Sequence, residues 1–381
     1  MSFVFPIILL ALFGGISFYV SRRVYQGLLQ FFPGLHFGFV FGFFILMTLL
    51  MLLGFASSML PFSAGIKHIL NRIGMYWMGF FIYLLLFTLF ADLLTVILRL
   101  CRLSFIRNEA FNAIRMICVV TLSLVTVVYG LCHVNSIQHV SYDIKIENKT
   151  DISDMNIVLI SDLHLGSIGS EDRLSQVVTE INAVKPDIVC IAGDFFDTDF
   201  TSIQNPQQAV QTLRQLTATY GIYACLGNHD AGQTTGQMQD FLSQCGIQLL
   251  NEAYTVIDNR LILVGRLDGT PIGGYGQQKR GQLSDFFTAE DPKLPVIVMD
   301  HNPANMDQYT GEVDLILSGH THKGQLFPAN LITGLIYDVD YGYYQKDAAS
   351  PQVIVTSGVG YWGMPMRIGT DCEIVQLRLI P

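Results

Sequence analysis

Charge is scarce in this sequence. Of its 381 residues only 14% are Asp, Glu, Lys or Arg, against 51% hydrophobic, and the mean hydropathy is positive. That balance excludes a single ordinary soluble domain, and the length asks for two or three. Paired cysteine spacing is missing too. None of the seven cysteines forms a CxxC or a dense disulfide pattern, so the thiols do not reveal the compartment. No long repeat or low-complexity segment is present. Basic residues are deficient over most of the chain. Residues 1–135 hold eight Lys/Arg and two acids, Asp92 and Glu109; subtracting these from totals of 22 and 31 leaves 14 basic and 29 acidic residues for 136–381. The first part is therefore +6 and the second −15. A second part so acidic argues against nucleic acid as the main partner, because phosphate binding needs the opposite field.

What is abundant is apolar sequence in long runs. Phe3–Val20, Phe37–Leu60, Met75–Leu98 and Ala110–Leu131 each approach the ~20 residues a helix needs to cross a bilayer. Buried core helices are the alternative, but these runs are apolar all round and carry scarcely a charge. Four spans are expected, in a membrane domain over 1–135. The basic residues follow the first run instead of preceding it, so a retained helix is expected there, not a signal peptide. Arg22 and Arg23 follow the first run, Lys67 and Arg72 the second, and Arg99, Arg102 and Arg107 the third. Placing loops one and three in the cytoplasm puts five basic residues inside against two outside. The expected location is a plasma or inner membrane, with residues 136–381 on the extracytoplasmic side.

Beyond residue 135 the pattern changes to short strands alternating with helices. Val140–Ile146 reads as a strand entering a new domain. Ile157–Ile160 runs into SDLHLGS, Asp187–Ala192 into GDFFD, and Ile222–Leu226 into GNHD. Between them, Asp172–Val184 sets Leu174, Val177, Val178 and Ile181 on one helical face, and Asn205-Pro206 opens a second helix. Later strands are Leu261–Val264, Val296–Met299, Val313–Leu317 and Val353–Thr356. This alternation implies an α/β layered domain whose ligands gather at strand carboxyl ends.

The polar residues lie at those ends. Asp162 and His164 follow one strand, Asp194 and Asp197 the next, and Asn228, His229 and Asp230 the third. His301 follows a fourth, and His320 and His322, in LILSGHTHKGQLF, a fifth. Five of the nine histidines lie beyond residue 140, and all five come just after an apolar strand. Scattered structural histidines would not do so. Residues two apart on extended backbone project from one side, so Asp162/His164 and His320/His322 can each converge on a point. Carboxylate, imidazole and carboxamide ligands suit Mn, Fe or Zn. One Asp can bridge two cations that lower the pKa of a shared water.

In this order, DLH, GD-x-x-D, GNHD, a lone His and GHTH resemble the calcineurin-like metallophosphoesterase superfamily, over roughly residues 140–381. The likeness extends to the bacterial membrane-associated branch with a GHTHxGQ ending. It implies a two-sheet β-sandwich flanked by helices over 136–381, with two divalent metal ions, Mn first and Fe or Zn as alternatives. By motif, Asp162, His164 and His322 would bind one ion, and Asn228, His301 and His320 the other, with Asp194 bridging. His229 would act at the substrate phosphoryl group, and Asp197 would orient it.

Some positions depart from the pattern or stay open. GDFFD lacks the following Arg-Gly of protein serine/threonine phosphatases, which argues against a phosphoprotein substrate. Lys323 reads either as a phosphate contact or as a solvated lysine, Arg367 as an anion contact or a structural salt bridge, and Asp300 as support for a ligand or as surface. Asp268 is undecided. The expected function is a membrane-tethered phosphohydrolase using metal-activated hydroxide on a phosphomonoester, phosphodiester or pyrophosphate, with a lipid-linked substrate and membrane lipid as partners. No protein partner is indicated. The alternative is a membrane sensor or assembly protein whose phosphoesterase domain binds ligand without turnover; nuclease activity is a third reading, disfavoured by the acidic balance.

Overall fold

The computed structural model describes residues 4–57, 60, 62–103, 109–146, 155–288 and 293–380. They fall into two compact units, 1–131 and 132–381.

The first unit is helical: α1 (Val4–Leu28), α2 (Phe37–Phe55), α3 (Ala64–Leu100) and α4 (Glu109–His133). Among the described residues, three segments, Phe37–Phe55, Gly65–Leu100 and Ala110–His133, are long and apolar enough to cross a membrane. The expected first span coincides with α1, which is not among those three. Its expected start at Phe3 lies outside the described residues, as do residues 58–59 of the second run and Arg107. Lys67 and Arg72, expected in a loop, lie instead in the first turns of α3, which begins at Ala64 because nothing after Ser63 interrupts a helix. α2 and α3 pack through Phe44, Trp77 and Phe81. At Gly74 a side chain would strike the Met51 backbone, so a small residue is what lets these helices approach.

The second unit runs β1 (Ile137–Lys145), β2 (Met155–Ile160), α5 (Ser170–Val184), β3 (Ile188–Ala192), α6 (Pro206–Leu213), β4 (Gly221–Cys225), α7 (Thr235–Gln244), β5 (Gln248–Leu249), β6 (Ala253–Ile257), β7 (Leu261–Gly265), β8 (Val296–Met299), β9 (Leu315–Ser318), α8 (Ala329–Ile336), β10 (Gly342–Tyr344), β11 (Gln352–Val355) and β12 (Cys372–Ile380). One sheet has the order β1-β12-β2-β3-β4-β5 and the other β10-β11-β9-β8-β7-β6. β2 to β5 are parallel, as are β7, β8, β9 and β11.

The near-continuous apolar strands are explained by burial on both faces. Along β2, Val158 and Ile160 face the core under α5, α6 and α7, while Ile157 and Leu159 face the second sheet. Cys190 and Cys225 are small buried thiols between the sheets. The outer face of the second sheet has its own core around Val264, Val298 and Ile316. This is the two-sheet α/β sandwich expected of residues 136–381.

The parallel strands β2, β3, β4, β8 and β9 thus end on the same rim, opposite to the ends of β1 and β12, and the rim loops are tied together by buried side chains. Asp230, with no exposed surface, accepts from Phe196 N and Gly227 N at 2.8 Å each, one bond per oxygen, so it joins the loops after β3 and β4. Asp300 is also buried, which removes the surface reading. Its carboxylate meets Arg280 at 2.6 Å and Tyr309 Oη, and so fixes the residue next to His301.

Two stability predictions follow from burial. Leu317→Ala, in the inter-sheet core, should cost about 2–5 kcal/mol, whereas Leu331→Ala at an exposed site should shift the denaturation midpoint little; equal shifts would contradict the assigned core. Asp230→Asn leaves one rim N–H facing an amide nitrogen and should cost about 1–3 kcal/mol, read from the same denaturation curves.

Candidate metal centre

The rim gathers all nine candidate residues, and glycine makes the approach possible. A side chain at Gly227, in GNHD, would collide with the Asp194 carboxylate; one at Gly319, in GHTH, would collide with Asp162 and Ser161. Five candidates themselves adopt left-handed backbone: Asp162 (φ 56°), His164 (47°), Asp194 (50°), His320 (72°) and His322 (49°). Each such residue without special compensation costs roughly 1–3 kcal/mol. The packed rim holds them in a conformation they would not choose alone, and so turns consecutive side chains toward one cleft.

Two groups result. In the first, His322 Nε2 lies 3.2 Å from His164 Nε2 and 3.3 Å from Asp162 Oδ1. In the second, His301 Nε2 is 3.1 Å from Asp194 Oδ2, and Nδ1 is 2.7 Å from the Ala192 carbonyl. His320 belongs to this group, and its Nδ1 is 2.8 Å from Asn228 Oδ1. Asp194 joins the two: Oδ1 accepts from His229 N at 2.8 Å, leaving Oδ2 within 3.7 Å of His164 as well as beside His301. Buried nitrogens and oxygens crowded this closely, with no sulfur among them, fit divalent cations.

The electrostatics divide the four imidazoles: burial works to lower His164, but Asp197 and Asp194 raise it, as happens at His301, while His320 and His322 are lowered. Burial works to raise Asp194, but His301, His164 and His229 outweigh it, and its carboxyl falls well below the usual range. Burial works to lower His301, and the charge of Asp194 outweighs it. Burial and then His301 push His320 down, while burial and then the Arg367 guanidinium push His322 well down. The last two stay as the neutral imidazoles that a cation requires.

His229 is half-buried at the cleft, and burial lowers its proton affinity. Asp197, expected to orient it, lies 3.8 Å from His229 Nδ1 and 3.7 Å from His164 Nδ1. The hydrogen-bonding position on His229 belongs instead to Thr198 Oγ1, at 2.7 Å. Sequence reasoning passed over Thr198, although it directly follows GDFFD. It also passed over Ser161, which donates to Asp162, and Trp362 and Tyr337, whose rings stand near His229 and His320.

The open positions resolve. Among the described residues Arg367 contacts no carboxylate, which removes the salt-bridge reading. It is fully buried and donates to the carbonyls of His322 (2.9 Å), Ser357 (2.7 Å) and Gly360 (2.7 Å), so it fastens the GHTH loop to the segment before β12. Lys323 places its ammonium 3.7 Å from the Tyr341 ring centre, a cation–π contact. Asp268 is buried, with Oδ1 turned to Thr270 and Oδ2 without a hydrogen bond among the described residues.

Residues 155–324 match the family Calcineurin-like phosphoesterase. An uncharacterized metallophosphoesterase of Aquifex aeolicus is 32% identical over 235 residues, covering 61% of this chain and 88% of that one. One from Helicobacter pylori is 30% identical over 234 residues, 60% of each chain. A transmembrane protein with metallophosphoesterase domain, from Danio rerio, is 30% identical over 279 residues, 68% of this chain and 61% of that one. The chain therefore spans about 60% of the length of several relatives it matches. With its motifs, strand order and clustered imidazoles and carboxylates in agreement, this chain belongs to the calcineurin-like metallophosphoesterases.

Proposed function

We propose that this protein is a membrane-tethered, di-metal phosphohydrolase acting on a lipid-linked phosphate ester or anhydride. The observation that carries the reading is the pair of nitrogen and oxygen groups sharing Asp194. Asp162, His164 and His322 would hold one cation, and Asn228, His301 and His320 the other, with Asp194 between them. Cations in those places supply Lewis acidity toward phosphoryl oxygens and acidify water.

The chain's own residues do the rest. The Ala192 carbonyl fixes the His301 tautomer and turns Nε2 inward. The His229 backbone N–H occupies one Asp194 oxygen and keeps the other directed into the cleft. The His229 ring, held by Thr198, is placed to hydrogen-bond a phosphoryl oxygen or hand a proton to the leaving group. Burial lowers its proton affinity, and a phosphoryl dianion beside it would restore the charge.

An apolar ledge beside the cleft supports the lipid-linked substrate. α8 exposes Leu331 (59%), Ile332 (55%), Leu335 (87%) and Ile336 (68%), with Phe327 alongside. The next residue, Tyr337, meets the His320 ring at 6.1 Å. A phosphate at the cleft could therefore lay its tail on α8. The three apolar helices support the tether, as does the transmembrane relative, and the catalytic domain is proposed to lie on the extracytoplasmic side.

Full-length protein stripped of metal and given Mn²⁺, Zn²⁺ or Fe²⁺ should hydrolyse p-nitrophenyl phosphate or its bis ester. Asp194→Asn should abolish that turnover, and His229→Ala should keep two metals per chain while losing about 10²–10⁴ in rate. Full activity in either variant would overturn the residue roles; two bound metals with no turnover would favour the sensor. Leu335→Asp with Ile336→Asp should raise KM for a lipid phosphate and leave KM for p-nitrophenyl phosphate unchanged. Equal changes for both substrates would remove the ledge from the argument.

A further inference from the structure

Within the helical unit, an open apolar cavity of about 560 Å³ lies among Leu28, Phe39, Phe44, Trp77 and Leu84, bounded on one side by Val24 and Val120. Ligand pockets are commonly of this size. Val24 and Val120 also line a smaller cleft that contains Arg23 and Arg115, so the apolar space and the charged groups adjoin.

The charges there do not balance. Asp92, the one acid of residues 1–108, has Oδ1 2.7 Å from Arg115 and Oδ2 2.7 Å from Arg23, and it also accepts from Tyr19 Oη at 2.7 Å. One carboxylate serves two guanidiniums, leaving a net positive charge. Arg115 is 11% exposed and Arg23 36%, so Arg23 is the accessible cation. All three residues stand inside helices, five residues before the end of α1, eight before the end of α3 and six after the start of α4. At 1.5 Å per residue that is roughly 8–12 Å from the helix ends. Trp77, 7% exposed, lines the cavity, so its ring reports on what enters.

We infer that this is a binding site for an anionic phospholipid, with its phosphate at Arg23 and an acyl chain in the cavity at Trp77. The charge selects an anion and the cavity selects a tail; neither serves a soluble phosphate. The site needs no catalysis and is independent of the phosphohydrolase reading.

The test uses full-length Trp362→Phe protein, in which Trp77 is the single tryptophan, in phosphatidylcholine nanodiscs with EDTA to prevent hydrolysis. Trp77 emission is followed as dibromo-acyl phosphatidic acid or dibromo-acyl phosphatidylcholine is added. Phosphatidic acid should quench at about tenfold lower mole fraction, the scale of one charge-assisted contact. Arg23→Gln, which leaves the Arg115–Asp92 pair in place, should remove most of that preference. Val24→Phe should obstruct the junction and weaken quenching by phosphatidic acid, so the site stays testable if Arg23→Gln fails to fold. Equal quenching by both lipids would mean ordinary annular contact and overturn the site. So would an undiminished preference in either variant.

Discussion

Asp194 is the residue on which the rim of the catalytic domain depends. Its carboxylate is 2% exposed, and withdrawing such a charge from water costs several kcal/mol unless partners surround it. Here the partners are the His229 N–H on one oxygen and the His301 and His164 imidazoles around the other. Each comes from a different strand end, so satisfying one charge requires three loops to meet at one point. Left-handed backbone at Asp162, His164, Asp194, His320 and His322 is the conformational cost of that meeting. Asp230 and Arg367, buried and bonded mainly to backbone, hold the loops against that strain.

Much of this was legible before any coordinates. The strand pattern and the placement of five histidines just after apolar runs gave the layered fold and the candidate residues, because two-sided burial and strand-end ligands leave strong one-dimensional marks. What stayed hidden was pairing across long separations. Thr198 on His229 cannot be read from spacing, since thirty-one residues separate them. Nor can Arg367 on the His322 carbonyl, forty-five residues away. A buried arginine answered by carbonyls looks in sequence like any loop arginine, which is why the expected salt bridge was wrong. Lys67 and Arg72 were misplaced for another reason: hydropathy marks the apolar part of a helix, and α3 begins about three turns before it.

The two units share a device, a carboxylate among basic groups, buried at Asp194 and half-buried at Asp92, with opposite balance. Around Asp194 the neighbours are imidazoles whose charge depends on protonation, so the site can exchange protons for metal. Around Asp92 they are guanidiniums, which do not deprotonate, and Asp92 alone cannot neutralise them. One arrangement suits reversible chemistry at a metal; the other suits a fixed positive charge facing an anion.

The charge asymmetry bears on how substrate arrives. Residues 136–381 carry −15, from 14 basic and 29 acidic side chains, and a phosphate ester is itself an anion. A field of that sign slows diffusional encounter with a soluble anion, and screening over about 8 Å at physiological salt relieves this only in part. Attraction must then be local, from whatever cations the rim holds. An enzyme relying on capture from bulk water would be poorly served by such a surface. On the proposed reading, a substrate whose tail is already confined to the membrane would reach the cleft by lateral diffusion, and apolar contact on α8 would add affinity that the protein's negative field does not oppose. On that proposal the acidic surface and the apolar ledge would answer one requirement: phosphate recognition close to the metals, and tail recognition on α8.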